Sequence, residues 1–291
     1  MIVATGAHAV VREPGASAPL DPLPYLRQKK TRKFMGVQDD LAVLAAGAAL
    51  ERAGISRAGL GERAGLFAVV GYIPFDQADI APVLAASLDG ERFSMQRFSN
   101  GGFQQAHPLL TFRCLPNMPA YHVSANFDVR GPYFVTYPGP GQLYAALEEA
   151  CLALESGRID VALLFAVAHQ RNFLVEHHFE RLEPPTRASE LRDAGACLVL
   201  EHAERAEREQ RQPLLALLNF EHGYQSHAAL EGAGAEQERF VGVEAPAGAL
   251  GPAALLCALA SATAERGARE ISHRLASRDG IRAHSRWQVL S

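Results

Sequence analysis

The stretch from Pro132 to Ala168 constrains the fold most, because it combines two strand patterns with one helical pattern. A short apolar run, Pro132 to Val135, leads into a Gly/Pro-rich turn, and apolar residues then follow helical spacing until Gly157. A second apolar run spans Asp160 to Ala168. Strand, tight turn, helix and strand form a βαβ unit, whose connection is right-handed in nearly all proteins. The sequence therefore predicts an α/β fold with an at least partly parallel sheet.

Other elements follow from the same periodicities. The strands are predicted at Ile2–Val11, Ala64–Tyr72, Cys197–Leu200 and Leu214–Phe220, with a final hairpin turning at Asp279-Gly280. The helices are predicted at Ala78–Leu88, across the charged run that follows Leu200, and at Ala253–Ala260, which is apolar on every side. The charged run is interpreted as a solvated helix face and the last helix as an internal one.

The first helix is predicted to start at a cap formed by Asp39 or Asp40 and to end at Gly54. Acidic residues are favoured at helix N-termini, and glycine is favoured just past the C-terminus. Its buried stripe is predicted to comprise Leu41, Leu44, Ala45 and Ala48.

Composition excludes several classes of function. The chain has 291 residues and a formal net charge of −4, which disfavours a general binder of nucleic acid or of anionic membranes. It has no run long enough to span a bilayer and no secretory signal pattern at Met1 to Ala4. We therefore expect a soluble cytoplasmic protein with no cofactor.

Metal and disulfide sites are also disfavoured. The cysteines, which are Cys114, Cys151, Cys197 and Cys257, are far apart and form no C-x-x-C pair. Adjacent His177 and His178 lie near Glu176 and Glu180, but neighbouring side chains point in different directions and no third ligand is suitably spaced. We interpret this group as a surface cluster.

The turn "TYPGPGQL", Thr136 to Leu143, lies where a strand meets a helix, a place that often presents a nucleophile. It contains neither serine nor cysteine, and it lacks the glycine and lysine spacing of a phosphate-binding loop. On pattern alone, a tight connector is the favoured interpretation.

The segment "LPNMPAYHVSANFDVRGPYFVT" just before this turn resembles the β-ketoacyl synthase branch of the thiolase superfamily. "GRIDVALLFAVA", "DAGACLVLEHAERAEREQRQPLLALL" and "PYLRQKKTRKFMGVQDDLAVLAAGAALERAGI" resemble further segments of that family, in the same order. The resemblance covers most of residues 1 to 222. It implies a thiolase-like layered α/β/α/β/α fold, with a complete first half at 1–222 and a shortened second half at 223–291 packed against it as one compact unit.

The resemblance also shows what has been lost. The family's nucleophile segment "TACASG" aligns with "PGPGQL", which places Pro140 at the cysteine. The family's two histidines are missing as well: Gly248 stands at one, and no H-G-T-G-T segment exists for the other. Proline supplies neither a thiol nor a backbone N–H for an oxyanion hole. The catalytic residues of the family are therefore expected to be absent.

The resemblance implies a role without chemistry. We expect a non-catalytic partner that resembles a chain length factor, in a heterodimer with an active β-ketoacyl-ACP synthase, with acyl carrier protein as a further partner. It would shape the acyl tunnel in polyketide, polyene or fatty-acid-like biosynthesis. The interface and tunnel candidates are Leu109, Leu110, Tyr133, Phe134, Val135, Thr136 and Tyr137. The short chain and the "GYIPF" stretch further resemble proteins of aryl polyene pathways.

Other interpretations stay open at this point. The basic run of Lys29, Lys30, Arg32 and Lys33 suits contact with an acidic carrier protein, but it equally suits a solvated helix start. The alternative function is a thiolase-fold acyltransferase or thioesterase that uses Cys114 or a histidine. A third is a scaffold or acyl-binding protein that does not set chain length.

Overall fold

The computed structural model describes residues 1–13, 15–16, 19–56, 60–225, 237–265, 267–278 and 280–290. The strands are β1 (Ile2–Arg12), β2 (Ala64–Val70), β3 (Leu88–Asp89), β4 (Arg92–Phe93), β5 (Tyr133–Thr136), β6 (Val161–Ala168), β7 (Asp193–His202), β8 (Leu215–Tyr224), β9 (Gln237–Val241), β10 (Arg269–Ala276) and β11 (Ile281–Val289). The α-helices are α1 (Val37–Arg52), α2 (Gln77–Ser87), α3 (Met95–Arg97), α4 (Leu110–Cys114), α5 (Met118–Phe127), α6 (Gln142–Glu155), α7 (Phe173–Glu180), α8 (Ala203–Arg208) and α9 (Ala254–Ala262).

Nine of the strands form one sheet with the order β5-β2-β6-β7-β1-β8-β11-β10-β9. β5 and β6 both pair parallel to β2, which confirms the predicted parallel βαβ unit. β7 and every later strand pair antiparallel. β1 and β8 are joined only at Val3↔Ala216 and Ala4↔Leu215. This narrow joint divides the sheet into a first region, β5 to β1, and a second region, β8 to β9.

Helices cover both faces of the first region. α1 and α5 pack on one face, against a core that includes Leu41, Phe127 and Phe165. α6 and α9 pack on the other face, where Leu147 and Leu256 belong to a second core cluster. Strands β2 and β6 are buried at every residue, as their continuous apolar runs predict.

The second region lies against the far side of α6. Ile271, Leu275 and Trp287 of β10 and β11 belong to the same core cluster as Leu143 and Tyr144 of α6. Burial alternates along β10 and β11, which is the pattern of a sheet with one packed face. Helices and sheet thus form layers, as expected, and the outward side of β10 and β11 is polar.

Several predicted elements are present in the structure. The strand, helix and hairpin predictions correspond to β1, β2, α2, β7, α8, β8, α9 and the β10–β11 pair. Asp279 of the predicted hairpin turn lies outside the described residues, and Gly280 has a φ of +87°. The domain limit expected at residue 222 falls inside β8.

The predicted cap and stripe of α1 are wrong. The helix starts after Gly36, whose N–H donates to the Asp39 carboxylate at 2.7 Å, so Asp39 lies inside the first turn. Leu44 and Ala48 are only half-buried, whereas most other positions of the helix are buried. The single-stripe interpretation failed because α1 contacts the sheet, α5 and the Leu23–Tyr25 turn at the same time.

The charged run after Leu200 is also less solvated than predicted. Glu201 is fully buried, and it accepts hydrogen bonds from Thr5, Arg205 and Arg211 at 2.6 to 2.9 Å. It therefore joins β7 to β1 and to the start of β8, close to the narrow joint of the sheet.

Candidate functional site

A cleft of about 320 Å³ opens beside the start of α6. The turn before that helix supplies one wall, with Pro138, Gly139 and Pro140. The other walls come from Tyr72, from the segment after α7 and from the segment between β9 and α9. Their lining residues are Phe179, Leu182, Pro184, Pro185, Thr186, Gly248, Ala249, Leu250 and Gly251, and the polar side chains Gln170, Glu238 and Arg278 also reach the cleft.

The turn before α6 is held by bonds at its two ends. The Thr136 hydroxyl donates to Oε1 of Gln142 at 2.7 Å, and the Gln142 N–H donates to the Gly139 carbonyl at 3.1 Å. At Gly141 an added Cβ would lie 2.8 Å from Cβ of Ile281, so only glycine lets the turn approach β11 this closely. Pro140 therefore occupies a rigid position in the cleft wall, and it carries no nucleophile and no N–H there.

Gly248 occupies another part of the same cleft wall. Its φ is +79°, in the left-handed region that disfavours residues with a Cβ. A Cβ at this position would lie 2.5 Å from the Glu190 carbonyl oxygen. A histidine cannot be accommodated at Gly248 unless the backbone moves.

Arg278, Gln170 and Glu238 differ in what they are bonded to. Arg278 donates to the carbonyls of Glu183 and Pro184 at 3.0 and 3.2 Å, which fixes the segment after α7. Gln170 donates to the Ala249 carbonyl. Glu238 accepts from Nε2 of His273 at 2.9 Å. The first two side chains thus brace the walls, whereas Glu238 is backed by an imidazole.

His273 belongs to a buried chain of polar side chains between α6 and the second region. Its Nδ1 lies 2.7 Å from the Tyr144 hydroxyl, which in turn lies 3.0 Å from Oγ of Ser285. The Trp287 indole donates to the same Oγ at 3.1 Å. Tyr144, Ser285 and Trp287 are fully buried and His273 is 1 % exposed. Burial raises the pKa of the Tyr144 hydroxyl, so this group stays protonated.

The cysteines do not supply a replacement nucleophile of thiolate character. Burial raises the pKa of Cys114 to about 11, and of Cys151 and Cys257 to about 12. The pKa of the fully buried Cys197 is raised as well. Cys114 ends helix α4, and its thiol donates to the Pro74 carbonyl at 3.2 Å. A thiol is a much weaker nucleophile than a thiolate.

Cys114 lines a second, smaller cleft of about 160 Å³ at the start of α1. Arg32 and Asp40 meet there at 2.6 Å, and Arg113 and Asp79 meet at 2.8 Å. Burial raises the pKa of Asp40 to about 7 although Arg32 opposes the shift. Arg32 of the basic run is therefore committed to an internal ion pair.

The rest of the basic run lies in the turn of 3-10 helix Lys29–Phe34, where Lys29, Lys30 and Lys33 are exposed. Nζ of Lys33 lies 4.9 Å from the centre of the Phe34 ring. This segment precedes α1 and contributes only Arg32 to a cleft. Contact of this segment with a carrier protein stays a prediction, and the residues available for it are the three exposed lysines.

The interface candidates lie on β5, at one edge of the sheet. Tyr133 is 72 % exposed and Tyr137 is 52 % exposed. Between them, Phe134 packs against the core shared with α6, and Val135 packs against the core shared with α1. The strand is therefore anchored on both faces, and its outer edge is unpaired within the described part of the chain.

The tunnel candidates are away from the cleft wall. Leu109 and Leu110 are half-buried at the start of α4, and the Leu109 N–H donates to Nδ1 of His107 at 3.1 Å. Neither leucine is among the cleft-lining residues. The structure thus brings Pro140 and Gly248 together, but it does not bring the leucines or the basic run to them.

Two negative findings apply to the described ranges only. His177 and His178 are exposed on α7, and no three His, Cys, Asp or Glu side chains in those ranges are close enough to hold a metal ion. None of the helices in the same ranges has both the length and the hydropathy that a membrane-spanning helix needs.

Sequence reasoning missed Glu238, His273 and Arg278. Glu238 and His273 are 35 positions apart and meet only because β9 pairs with β10. A period-2 alternation in β10 could have indicated that His273 faces inward, but no sequence signal gave its partners. The other expected loss is the histidine of the H-G-T-G-T segment. The part of the chain where that segment would fall includes residues 226–236, which lie outside the described residues.

Solved structures share this fold at low sequence identity. A chain of the AntDE:AntF complex, a type II polyketide synthase acyl-carrier protein with its ketosynthase bound to the hexaketide, matches with a TM-score of 0.70 and 13% identity over 99% of both chains. The oxazolomycin ketosynthase domain OzmH KS7 of Streptomyces albus JA3453 matches with a TM-score of 0.66 and 14% identity, over 100% of this chain and 76% of that one.

The ishigamide ketosynthase/chain length factor matches with a TM-score of 0.54 and 19% identity, over 77% of this chain and 64% of that one. No curated protein sequence matches the chain. The family model for the β-ketoacyl synthase N-terminal domain matches residues 12–198, from the end of β1 into β7. The chain therefore belongs to the β-ketoacyl synthase family and has its thiolase-like fold.

Proposed function

We propose that this chain is a non-catalytic, chain length factor-like partner of an active β-ketoacyl-ACP synthase. The observation that carries the proposal is the wall of the cleft beside α6. Pro140 stands there at the position that the family resemblance assigns to the nucleophile. Because proline supplies neither thiol nor N–H, this position supports neither acyl transfer to the chain nor an oxyanion hole.

The second loss supports the same conclusion independently. Gly248 cannot be replaced by a histidine without a backbone shift, because its φ is positive and the Glu190 carbonyl is too close. A single substitution could mark altered chemistry, whereas two coordinated losses in one cleft favour a subunit released from catalysis. The raised pKa of Cys114 disfavours the alternative thioesterase or acyltransferase that would use this thiol.

The edge strand β5 is the proposed contact with the partner. An edge strand offers a row of N–H and C=O groups that another strand can pair with. Leu66 N–H donates to the Pro132 carbonyl, and in a parallel ladder the bonds of successive residues alternate in direction. The backbone groups of Tyr133 and Val135 therefore point to the outer edge. Exposed Tyr133 and Tyr137 supply the apolar surface that flanks such a contact.

The tunnel role concerns Leu109 and Leu110. They are half-buried at the start of α4, in a segment between α3 and α5 that also exposes Phe103, Phe112 and Leu115. Exposed apolar residues that are grouped in this way favour burial against a partner. Within a packed interface, the volume of these leucines would limit the length of an acyl chain.

The known complexes fit this proposal. One structural neighbour is a ketosynthase with its acyl carrier protein, and another is a ketosynthase/chain length factor. We propose both kinds of partner for this chain, with Lys29, Lys30 and Lys33 as the candidate contact for the acidic carrier protein. A place in an aryl polyene pathway is a narrower proposal that rests on the "GYIPF" stretch.

The edge-strand proposal is tested by Tyr133→Pro, with Tyr133→Ala as the matched control. Proline removes an N–H that points away from β2, so the variant keeps the internal ladder but cannot pair along the outer edge. We expect co-purification with an active ketosynthase from the same genome to be lost for the proline variant and retained for the alanine variant. Equal recovery of both complexes would contradict the edge-strand contact.

A separate experiment tests the tunnel. In a complex that still assembles, Leu109→Ala and Leu110→Ala should lengthen the product, because each substitution removes apolar volume. Unchanged product length would instead favour a scaffold that does not set chain length. An active homodimer of this chain alone would refute the proposed role.

A further inference from the structure

The hydrogen bonds of the buried series from Trp287 to Glu238 all run in one donor-to-acceptor direction. The groups at its two ends set that direction. The indole N–H of Trp287 can only donate, and an ionised carboxylate can only accept. With a neutral imidazole, Nε2 of His273 donates to Glu238, and Nδ1 must therefore accept from Tyr144. Tyr144 then accepts from Ser285, which accepts from Trp287. Every link donates toward the carboxylate.

This arrangement keeps Glu238 as an acceptor at the surface of the cleft. The side chain is 25 % exposed and lines the cleft, whereas His273 behind it is 1 % exposed. A carboxylate has about four acceptor sites, and His273 fills one of them. Hydrogen bonds in a chain also polarise one another, which strengthens the bond that the terminal acceptor receives. The Glu238 carboxylate can thus accept further hydrogen bonds from a ligand in the cleft.

The rest of the cleft is suited to an apolar ligand body. Four prolines, Pro138, Pro140, Pro184 and Pro185, line it together with Phe179 and Leu182. Proline side chains are apolar, and proline nitrogens carry no N–H, so these four residues offer no donor to a ligand. The Arg278 guanidinium uses part of its donor capacity on the carbonyls of Glu183 and Pro184. The volume of about 320 Å³ is at the lower end for small-molecule sites.

We propose that this cleft binds a small ligand with an apolar body and a hydrogen-bond donor, an amide N–H or a hydroxyl, which Glu238 receives. The inference goes beyond the partner role, since it needs neither a ketosynthase nor a carrier protein. It assigns Glu238 as the residue that selects donors over acceptors. His273, Tyr144 and Ser285 are positioning residues behind it.

The chain provides its own reporter. The sequence contains 1 tryptophan, and Trp287 is the far end of the hydrogen-bonded chain. Its indole N–H therefore gives one resonance in a tryptophan-labelled 15N spectrum. A ligand that engages Glu238 changes the polarisation of each link and should shift that resonance. A ligand that binds elsewhere on the surface has no such path.

The test uses two probes of similar size, hexanamide and methyl hexanoate, with the purified full chain. Hexanamide offers N–H donors, whereas methyl hexanoate offers only acceptors. We expect a saturable indole shift with hexanamide, and binding of methyl hexanoate that is at least about tenfold weaker. Saturation-transfer signals of the probes, recorded on the same samples, measure binding without relying on the reporter.

Glu238→Gln is the decisive variant. Its Oε1 can still accept from His273, but the amide then presents an N–H₂ donor to the cleft. Hexanamide should therefore lose its N–H bond to residue 238, and its roughly tenfold advantage over methyl hexanoate should largely disappear, because the carbonyls of both probes can accept from the new amide. An unchanged melting temperature and an unchanged far-ultraviolet circular dichroism spectrum show that the variant is folded.

Two results would overturn the inference. If neither probe gives saturable binding by either readout, then the cleft is not a site for this class of ligand. If both probes bind with equal affinity to the native chain, or if the preference for hexanamide is as large in Glu238→Gln as in the native chain, then Glu238 does not select the donor.

Discussion

The two regions of the sheet bury their strands in different ways. In the first region, β2 and β6 are buried at every residue, because helices cover both faces. In the second region, β10 and β11 bury alternate residues, and the outward positions carry polar side chains such as Arg274 and Arg286. The shortened half is therefore more than a cut-down copy. Its sequence matches a sheet that is packed on one face only.

The difference also separates two kinds of interior. The core between α1 and the first region is apolar, whereas the contact between α6 and the second region contains the chain from Trp287 to Glu238. Buried polar side chains are costly unless each one is paired. Their pairing fixes the register of α6 against β10 and β11, and it places Glu238 at the cleft.

The largest expected effect is on the free energy of unfolding, and it tests the difference between the two regions. Adjacent residues are truncated to alanine on β6 of the first region and on β11 of the second. Leu163→Ala and Leu164→Ala on β6 should each cost about 2–5 kcal/mol in the free energy of unfolding, because both side chains are fully buried. On β11, Trp287→Ala should cost about 3–5 kcal/mol, whereas Gln288→Ala should change stability by only about 0.5 kcal/mol.

Urea unfolding of the four variants measures these differences. Equal costs for Trp287 and Gln288 would show that the outward side of the second region is covered in solution. A small cost at either leucine would show that the first region is covered on one face only.

The next effect concerns the joint between the regions. Glu201→Gln removes the charge that Arg205 and Arg211 share, and it should cost about 2–3 kcal/mol. Burial raises the pKa of Glu201, but the hydrogen bonds from Arg211 and Thr5 outweigh it, so the net pKa lies below its usual range.

The pH dependence of Glu201 follows from that direction. A carboxylate with a lowered pKa in the folded state contributes fully above its unfolded pKa of about 4.3. The contribution is lost as the pH falls through the folded pKa. Unfolding measured from pH 6 down to pH 3 should show a weaker acid dependence in Glu201→Gln than in the native chain. Parallel curves would contradict this assignment.

Much of the first region could be predicted from sequence, because long apolar runs identify strands that are buried on both faces. β2 and β6 were predicted for that reason, and the βαβ unit from β5 to β6 was predicted from the order of strand, turn, helix and strand patterns. The cap of α1 was not, because Asp39, Asp40 and Gly36 are all acceptable caps and only the structure shows that Gly36 N–H meets Asp39. The resemblance identified Pro140 and Gly248, whereas the Glu238–His273 contact depends on strand pairing that no local pattern encodes.

A smaller effect sharpens the contrast between the two interiors. Tyr144→Phe removes one hydroxyl, which leaves Nδ1 of His273 and the hydroxyl hydrogen of Ser285 without their partner, and it should cost about 1–3 kcal/mol. His273 keeps its bond to Glu238, and Ser285 keeps its bond from Trp287. Tyr121→Phe is the matched control, because Tyr121 is 57 % exposed on α5 and should change stability by less than about 0.5 kcal/mol. Thermal unfolding of both variants measures the difference, and equal effects would argue against a polar interior in the second region.

The central claim is that this chain serves an active synthase without forming an acyl-enzyme itself. The most direct measurement is the intact mass of each chain after the complex with its ketosynthase is incubated with an acyl thioester. We predict one acyl group on the ketosynthase, which retains its cysteine, and an unmodified mass for this chain, in which Pro140 replaces that residue. A stoichiometric acyl adduct on this chain that disappears in Cys114→Ala would contradict the account.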